Sequence, residues 1–231
     1  MKKSYFQAIT RRDFLSKAAL TSAVTLGGLA CLPAAVSWGK TGGFRKATLR
    51  EDYQGLSREE LLKKAYELGC AYEHNSGGCS QSVVSGVHDI LVVEDCVIRV
   101  ANSFCGGMAS SSRGTCGGLV GGTIALDYFC GRSKEQMSKN SAKRGDINVL
   151  EEGMTMAKIL YRKFFDKYGT ILCLDIQQQQ YGRYFYLGDQ DEFKKMHESS
   201  SSLEHSKCLD IVGSSTRWAM EILLDHGIVE L

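Results

Sequence analysis

The chain has 231 residues, with 28 Lys and Arg against 26 Asp and Glu, nine Cys and a single Pro. Apolar residues at 43% and charged residues at 23% fit a globular protein and exclude both a polytopic membrane protein and a chain disordered along most of its length. A net charge of +2 gives no reason to expect nucleic acid as the partner.

Residues 1–37 differ in character from the rest of the chain. Lys2 and Lys3 open a basic segment, and Thr10-Arg11-Arg12-Asp13-Phe14-Leu15-Ser16-Lys17 continues it, with paired Arg, an apolar pair two positions on, then Lys. Residues 18–32 are mildly apolar, too short and too polar for a good transmembrane helix, and lack the 3.6-residue period of a core helix. Pro33 breaks the stretch, and Ala35-Val36-Ser37 reads as a small-residue cleavage site. Gly28-Leu29-Ala30-Cys31 is a poor lipoprotein box. The segment resembles a twin-arginine export signal, which implies a periplasmic or otherwise exported protein with no membrane span after cleavage. It holds five basic residues against Asp13, so the chain from residue 38 carries −2, eight Cys and no Pro. The twin-arginine route moves folded proteins, and a cofactor loaded before export is a common reason to fold first.

Residues 38–56, with Gly39, Gly42 and Gly43, read as an exposed lead-in to a single domain over 57–231. Ser57-Arg58-Glu59-Glu60 is a capping box, and the helix behind it puts Leu61, Leu62, Ala65, Leu68 and Tyr72 on one face. His74-Asn75-Ser76-Gly77-Gly78 ends it. A second helix starts near Cys79 and runs through Val87, and a short third covers 95–102. Seven glycines lie between 106 and 122, interrupted by a serine run, and helix resumes over 123–130. Residues 131–147 are polar and loop-like. The next helix carries Leu150, Met154, Ala157, Tyr161, Phe164 and Tyr168 at spacings of three and four, and Gly169 closes it. Residues 177–206, with four Gln, a Tyr-rich patch and Ser199–Ser202, are the least regular part and read as a surface excursion. The last helix, 208–224, turns Leu209, Val212, Thr216, Ala219, Met220 and Leu223 to one side. The fold class is mainly α, a compact bundle of five to seven helices with Gly-rich loops.

The eight remaining cysteines lie at 70, 79, 96, 105, 116, 130, 173 and 208, and no two are separated by only two residues. That spacing removes the thioredoxin motif, the zinc ribbon, the clustered ferredoxin run and c-type haem attachment. A metal site must therefore gather cysteines from distant elements. Cys70, Cys96 and Cys130 lie among apolar residues and read as buried core thiols. None of His74, His88, His197, His205 and His226 forms a metal-spaced pair, and His205 is the one nearest a cysteine of interest, Cys208. No Ser–His–Asp set, phosphate loop or pair of catalytic carboxylates is present, so no catalytic residue is assigned.

Four anchors carry a resemblance: Cys79-Ser80-Gln81-Ser82-Val83-Val84; Gly106-Gly107-Met108 followed by Cys116-Gly117-Gly118-Leu119-Val120-Gly121; Leu172-Cys173; and Cys208-Leu209-Asp210-Ile211-Val212. Over roughly 57–226 the chain resembles the C_GCAxxG_C_C family of redox-active proteins, which includes the iron–sulfur domain of split-Soret cytochrome c. Ser80 stands where the family favours Ala, Gly118 replaces the Ala of Cys-Gly-Ala, and Cys105 sits where the family often has Gly.

The resemblance implies Cys79, Cys116, Cys173 and Cys208 as ligands of an iron–sulfur cluster, [2Fe–2S] being favoured, and it suggests a homodimer. Four thiolates and an oxidised [2Fe–2S] core leave a charge of about −2, which needs compensation when buried. Gly114, Gly117 and Gly118 flank Cys116 and suit close approach of backbone N–H groups to sulfur. Helix starts at Cys79 and Cys208 would add a positive dipole end. Cys105 stays open between core thiol, extra ligand and additional redox thiol. Three functions remain: a one-electron carrier serving an unidentified redox partner protein, a thiol–disulfide redox protein, and an accessory subunit with a structural metal such as zinc.

Overall fold

A computed structural model describes residues 44–138, 145, 147–199 and 207–231. The chain divides into two units, 1–40 and 41–231, and every described residue belongs to the second. The export-signal reading of 1–37 lies outside the described residues, as does His205.

The described residues are mainly helical, in a compact bundle. Eight α-helices occur among them, one more than the upper end of the expected range: α1 Arg58–Ser76, α2 Cys79–Ile90, α3 Asp95–Val100, α4 Gly117–Cys130, α5 Ile147–Tyr168, α6 Cys173–Tyr181, α7 Gln190–Ser199 and α8 Lys207–Asp225. Short 3₁₀ turns at Glu51–Tyr53 and Asn102–Phe104 complete the set, and the extended pairings among these residues are the isolated bridges Leu49–Leu91 and Thr115–Leu172. The lead-in is not free of the bundle where it is described. Ala47 N–H bonds Ile228 O at 3.0 Å, Arg50 N–H bonds Ile90 O at 2.9 Å, and Phe44, Leu49 and Tyr53 pack on the core.

The capping box forms as expected: Glu60 N–H reaches Ser57 Oγ, and Ser57 N–H reaches Glu60 Oε2 at 2.9 Å. Behind it, Leu61, Leu62, Ala65 and Gly69 are buried, and α1 lies along α8 in the most extensive helix pair of the bundle. α2 is the central helix. Its buried residues, Ser80, Ser82, Val83, Val84, Ser85, Gly86, Val87 and Ile90, go almost all the way round, because α1, α4 and α8 all contact it. Small residues permit that crowding.

Helix α4 starts at Gly117, six residues before the sequence reading placed it. Four glycines in its first turns cost helix propensity, about 1 kcal/mol each against Ala. Close packing offsets this cost: a Cβ at Gly121 would stand 2.9 Å from both Ser80 Cα and Val83 Cβ, so only Gly lets α4 and α2 approach this closely.

α5 has the expected extent but a rotated face. Its buried residues are Val149, Gly153, Met156, Leu160, Phe164 and Tyr168. Met154 and Tyr161, expected inward, are 51% and 43% exposed. The helix carries two apolar stripes, and Gly153, whose Cβ would stand 2.7 Å from Cys130 O, selects the stripe that lets α5 close on the end of α4.

The segment from 177 is more regular than its composition suggests. The glutamines continue α6 to Tyr181, and 190–199 form α7. Gln177 and Phe185 are buried and the rest is mostly exposed.

Candidate metal centre

Four helix N-termini deliver four cysteines to one place. Cys79 opens α2 behind Gly78, Cys116 is the N-cap of α4, Cys173 opens α6 behind Leu172, and Cys208 lies in the first turn of α8. All four line a cavity of about 300 Å³. Each helix start exposes N–H groups without helical partners and a positive dipole end, so the arrangement favours negative charge in the cavity.

A fifth thiol, Cys105, enters the same cavity from the end of the turn Asn102–Phe104. The other three cysteines do not line it. Cys130 is fully buried in the core, and burial, then Asp127, pushes its thiol up to about 12. Cys70 is half-buried, with its Sγ donating to Leu209 O at 3.3 Å. Cys96 is exposed, which corrects the expectation of a core thiol, because the single-turn helix α3 buries Val97 alone.

Three of the cavity's sulfurs, those of Cys79, Cys173 and Cys208, accept hydrogen bonds. Gly106 N–H donates to Cys79 Sγ at 3.4 Å, Gln177 Nε2 to Cys173 Sγ at 3.2 Å, and Tyr181 Oη to Cys208 Sγ at 3.7 Å. Cys116 Sγ, at the N-cap of α4, makes no side-chain capping bond and lies beside the first-turn N–H groups of that helix. Ser80 Oγ, which donates to Ala101 O at 2.7 Å, lies 3.1 Å from Cys105 Sγ. Such donors fix sulfur orientation and stabilise its negative form.

Burial nevertheless raises the thiols of Cys116, Cys173 and Cys208, the last to about 12. The neighbouring Cys105 thiol and then burial raise Cys79, and the neighbouring Cys79 in turn holds Cys105 below its ordinary value. Without a cation, then, most of these sulfurs keep their protons. A cation would displace them, which is the behaviour of a thiolate donor set. Glu73, near the end of α1, completes the wall. Burial raises its carboxyl to about 7, and Ser82 Oγ donates to it at 3.0 Å.

The three glycines expected at the site divide in role. Gly117 abuts the sulfur: a Cβ there would collide with Cys79 Sγ and stand 3.0 Å from Phe104 O. Gly118 serves packing instead: a Cβ there would stand 3.0 Å from Ile211 Cγ2 on α8. Gly114 directs its N–H to Gly107 O at 2.8 Å and accepts from Cys173 N–H at 3.0 Å, so it ties the loop to α6 instead of facing a sulfur.

The loop between Cys105 and Cys116 is left-handed over most of its start. Gly106 and Gly107 have φ of 58° and 67°, and Met108, Ala109, Ser110 and Ser112 have φ between 49° and 70°. Buried Ser112 anchors it, donating to Phe185 O at 2.6 Å and accepting from Leu187 N–H at 3.3 Å. Gln177 Oε1 accepts from Phe185 N–H at 2.7 Å, so one side chain both grips Cys173 and holds the closing segment. Leu187, Phe193 and Met196 line the cavity, and the exposed His74 and His197 lie at its rim.

Glu73, Gln177 and Tyr181 escaped the sequence reading. Gln177 was accessible in principle, since four residues after Cys173 on a helix it must lie over that cysteine. Among the described residues no three His, Cys, Asp or Glu side chains converge closely enough to hold a single metal ion; the cysteines line a cavity instead.

No curated protein and no solved structure matches the chain. The family described as "Putative redox-active protein (C_GCAxxG_C_C)" matches residues 78–222, a narrower span than the 57–226 expected, with α1 and Glu73 outside it. The match covers more than half of the chain and contains Cys79, Cys116, Cys173 and Cys208, so this protein belongs to that redox-active family.

Proposed function

We propose that this protein is an exported electron carrier in which Cys79, Cys116, Cys173 and Cys208 hold an iron–sulfur cluster, [2Fe–2S] in type. The observation that carries the reading is the delivery of these four cysteines to one cavity by four helix N-termini. When bound, the cluster supplies reversible one-electron chemistry. The chain's own residues then have defined tasks. Gly106, Gln177 and Tyr181 donate to the ligand sulfurs, which favours the negative state and raises the potential. Leu187, Phe193 and Met196 keep the cavity apolar on the α7 side.

A second reading has its own observation. Cys79 and Cys105 line the same cavity, and Gly106, the residue after Cys105, donates its N–H to Cys79 Sγ at 3.4 Å, which brings two thiols together as a thiol–disulfide couple requires. One experiment separates the two. The full chain is purified without oxygen and assayed for iron, acid-labile sulfide and visible absorption, then repeated with Cys116→Ala and Cys173→Ala. The carrier reading expects about two irons per chain and colour in the wild type and neither in the variants. A colourless, metal-free protein that loses two titratable thiols on oxidation would replace it with the exchange reading. Export is tested separately, by loss of translocation when Arg11 and Arg12 are both changed to Lys.

A further inference from the structure

Helix α5 carries a second apolar stripe that the bundle leaves uncovered. Its inner residues pack towards α4 and α8. On its outer surface Ile147, Met154, Tyr161 and Phe165 follow at spacings of seven, seven and four, which sets them in one line, and each is between 40% and 51% exposed. Tyr161 and Phe165 stack with ring centroids 5.9 Å apart and planes 11° from parallel, so the line ends in a rigid aromatic pair. Single apolar residues on a surface are ordinary, but four in line along a 22-residue helix make a continuous face. The charges beside it are sorted. On the flank turned to the bundle the cations have acids of their own, Lys163 with Glu221 at 3.0 Å and Lys167 with Asp210 at 2.7 Å. On the outer flank Glu151, Lys158 and Arg162 have no ion-pair partner among the described residues. The acid stands beside the first half of the stripe and the two bases beside the second.

We propose that this stripe is the contact surface for a second copy of the chain, with the two α5 helices packed antiparallel across a two-fold axis near residue 156. Antiparallel pairing sets each half of the stripe against the other half. Ile147 then faces Phe165 of the second copy, and Glu151 faces Arg162, each contact occurring twice by symmetry. The charge order selects a second copy over an unlike partner. An acid in the first half and bases in the second make the stripe the complement of its own reversal. Parallel pairing would set Glu151 on Glu151 and Arg162 on Arg162, and such like-charge contacts are costly. The inference goes beyond the electron-carrier reading and holds whether or not the cavity is loaded.

The test follows the mass of the full chain by sedimentation equilibrium over a series of concentrations. The variants are Tyr161→Lys, Glu151→Arg, Arg162→Glu, and Glu151→Arg combined with Arg162→Glu. All three positions are exposed, and far-ultraviolet circular dichroism checks that each variant folds. The proposal expects a dimeric wild type and a monomeric Tyr161→Lys. Each single charge reversal turns two attractive contacts into two repulsive ones and should raise the dissociation constant about tenfold, while the combined reversal should return to within about threefold of wild type. A wild type that stays monomeric at every concentration would overturn the proposal and leave the stripe to an unlike partner. A dimer that Tyr161→Lys leaves intact would overturn it too, by placing the contact elsewhere. So would charge reversals whose effects add instead of cancelling, because only antiparallel pairing brings positions 151 and 162 together.

Discussion

The close approach of α4 to α2 gives a sharp mutational contrast. Gly121 and Gly122 are neighbours on α4, both buried, and Ala at either gains about the same helix propensity, roughly 1 kcal/mol. What the new methyl meets differs. At Gly121 it meets backbone and a branched carbon of α2: Ser80 O, then Ser80 Cα and Val83 Cβ at 2.9 Å each. None of these atoms can rotate away, so the two helices must part. At Gly122 it meets Leu160 Cδ2 at 2.8 Å, the tip of a flexible side chain, with Ser215 O next at 3.6 Å. Overpacking against fixed atoms costs about 1–3 kcal/mol and loses dispersion contacts nearby as the helices separate. Gly121→Ala should therefore be less stable than Gly122→Ala by about 2 kcal/mol, because the propensity gain cancels between them. For a domain of this size that is a difference of about 4–8 °C in melting temperature. Urea unfolding followed by circular dichroism measures the free-energy difference directly. Equal midpoints for the two variants would refute the claim that backbone proximity between α2 and α4 sets the bundle's geometry.

Two further outcomes concern the site. In the metal-free protein the Glu73 carboxyl is raised from 4.5 to about 7, so its contribution favours the fold fully below pH 4.5 and is lost as pH rises through 7. Stability between pH 5 and 8 should fall by about 2.5 kcal/mol, and Glu73→Gln should flatten that slope in urea titrations; an unchanged slope would place the titration elsewhere. Gln177→Leu removes the acceptor for Phe185 N–H and the donor to Cys173. Leaving that amide unsatisfied costs about 1–3 kcal/mol locally, so amide hydrogen exchange at Phe185 should accelerate while exchange in the core of α2 stays slow; equal acceleration in both would mean the closing segment is not a separate unit.

The elements most legible from sequence were those whose signal is local. The Ser57–Glu60 box marks the start of α1 by a reciprocal pair of hydrogen bonds that needs no partner element. The α2 start at Cys79 is set by Gly77 and Gly78, whose φ values of 56° and 136° only Gly adopts freely. What could not be read was decided by neighbours. Gly117 to Gly122 look like loop by propensity and become helix because α2 lies against them. The inward face of α5 depends on Gly153 meeting Cys130 O, a contact made by residues distant in sequence. The cysteine set was legible through the family pattern, yet the entry of Cys105 and Glu73 into the cavity wall depends on helix placement that no spacing encodes.

The left-handed start of the loop also limits how this sequence can change. A left-handed conformation costs an L-residue about 1–2 kcal/mol, and a β-branched side chain worsens it. Met108, Ala109, Ser110 and Ser112 adopt it in near succession, so Val, Ile or Thr at these positions would be rejected by the backbone before any chemistry was altered. Ser111 Oγ donates to Gly107 O at 2.6 Å and Ser112 Oγ to Phe185 O at the same distance, which gives the short hydroxyl side chains a local use. The serine run thus resembles low-complexity sequence but is tightly specified. Drift among homologues should be confined there to Gly, Ala, Ser and Asn.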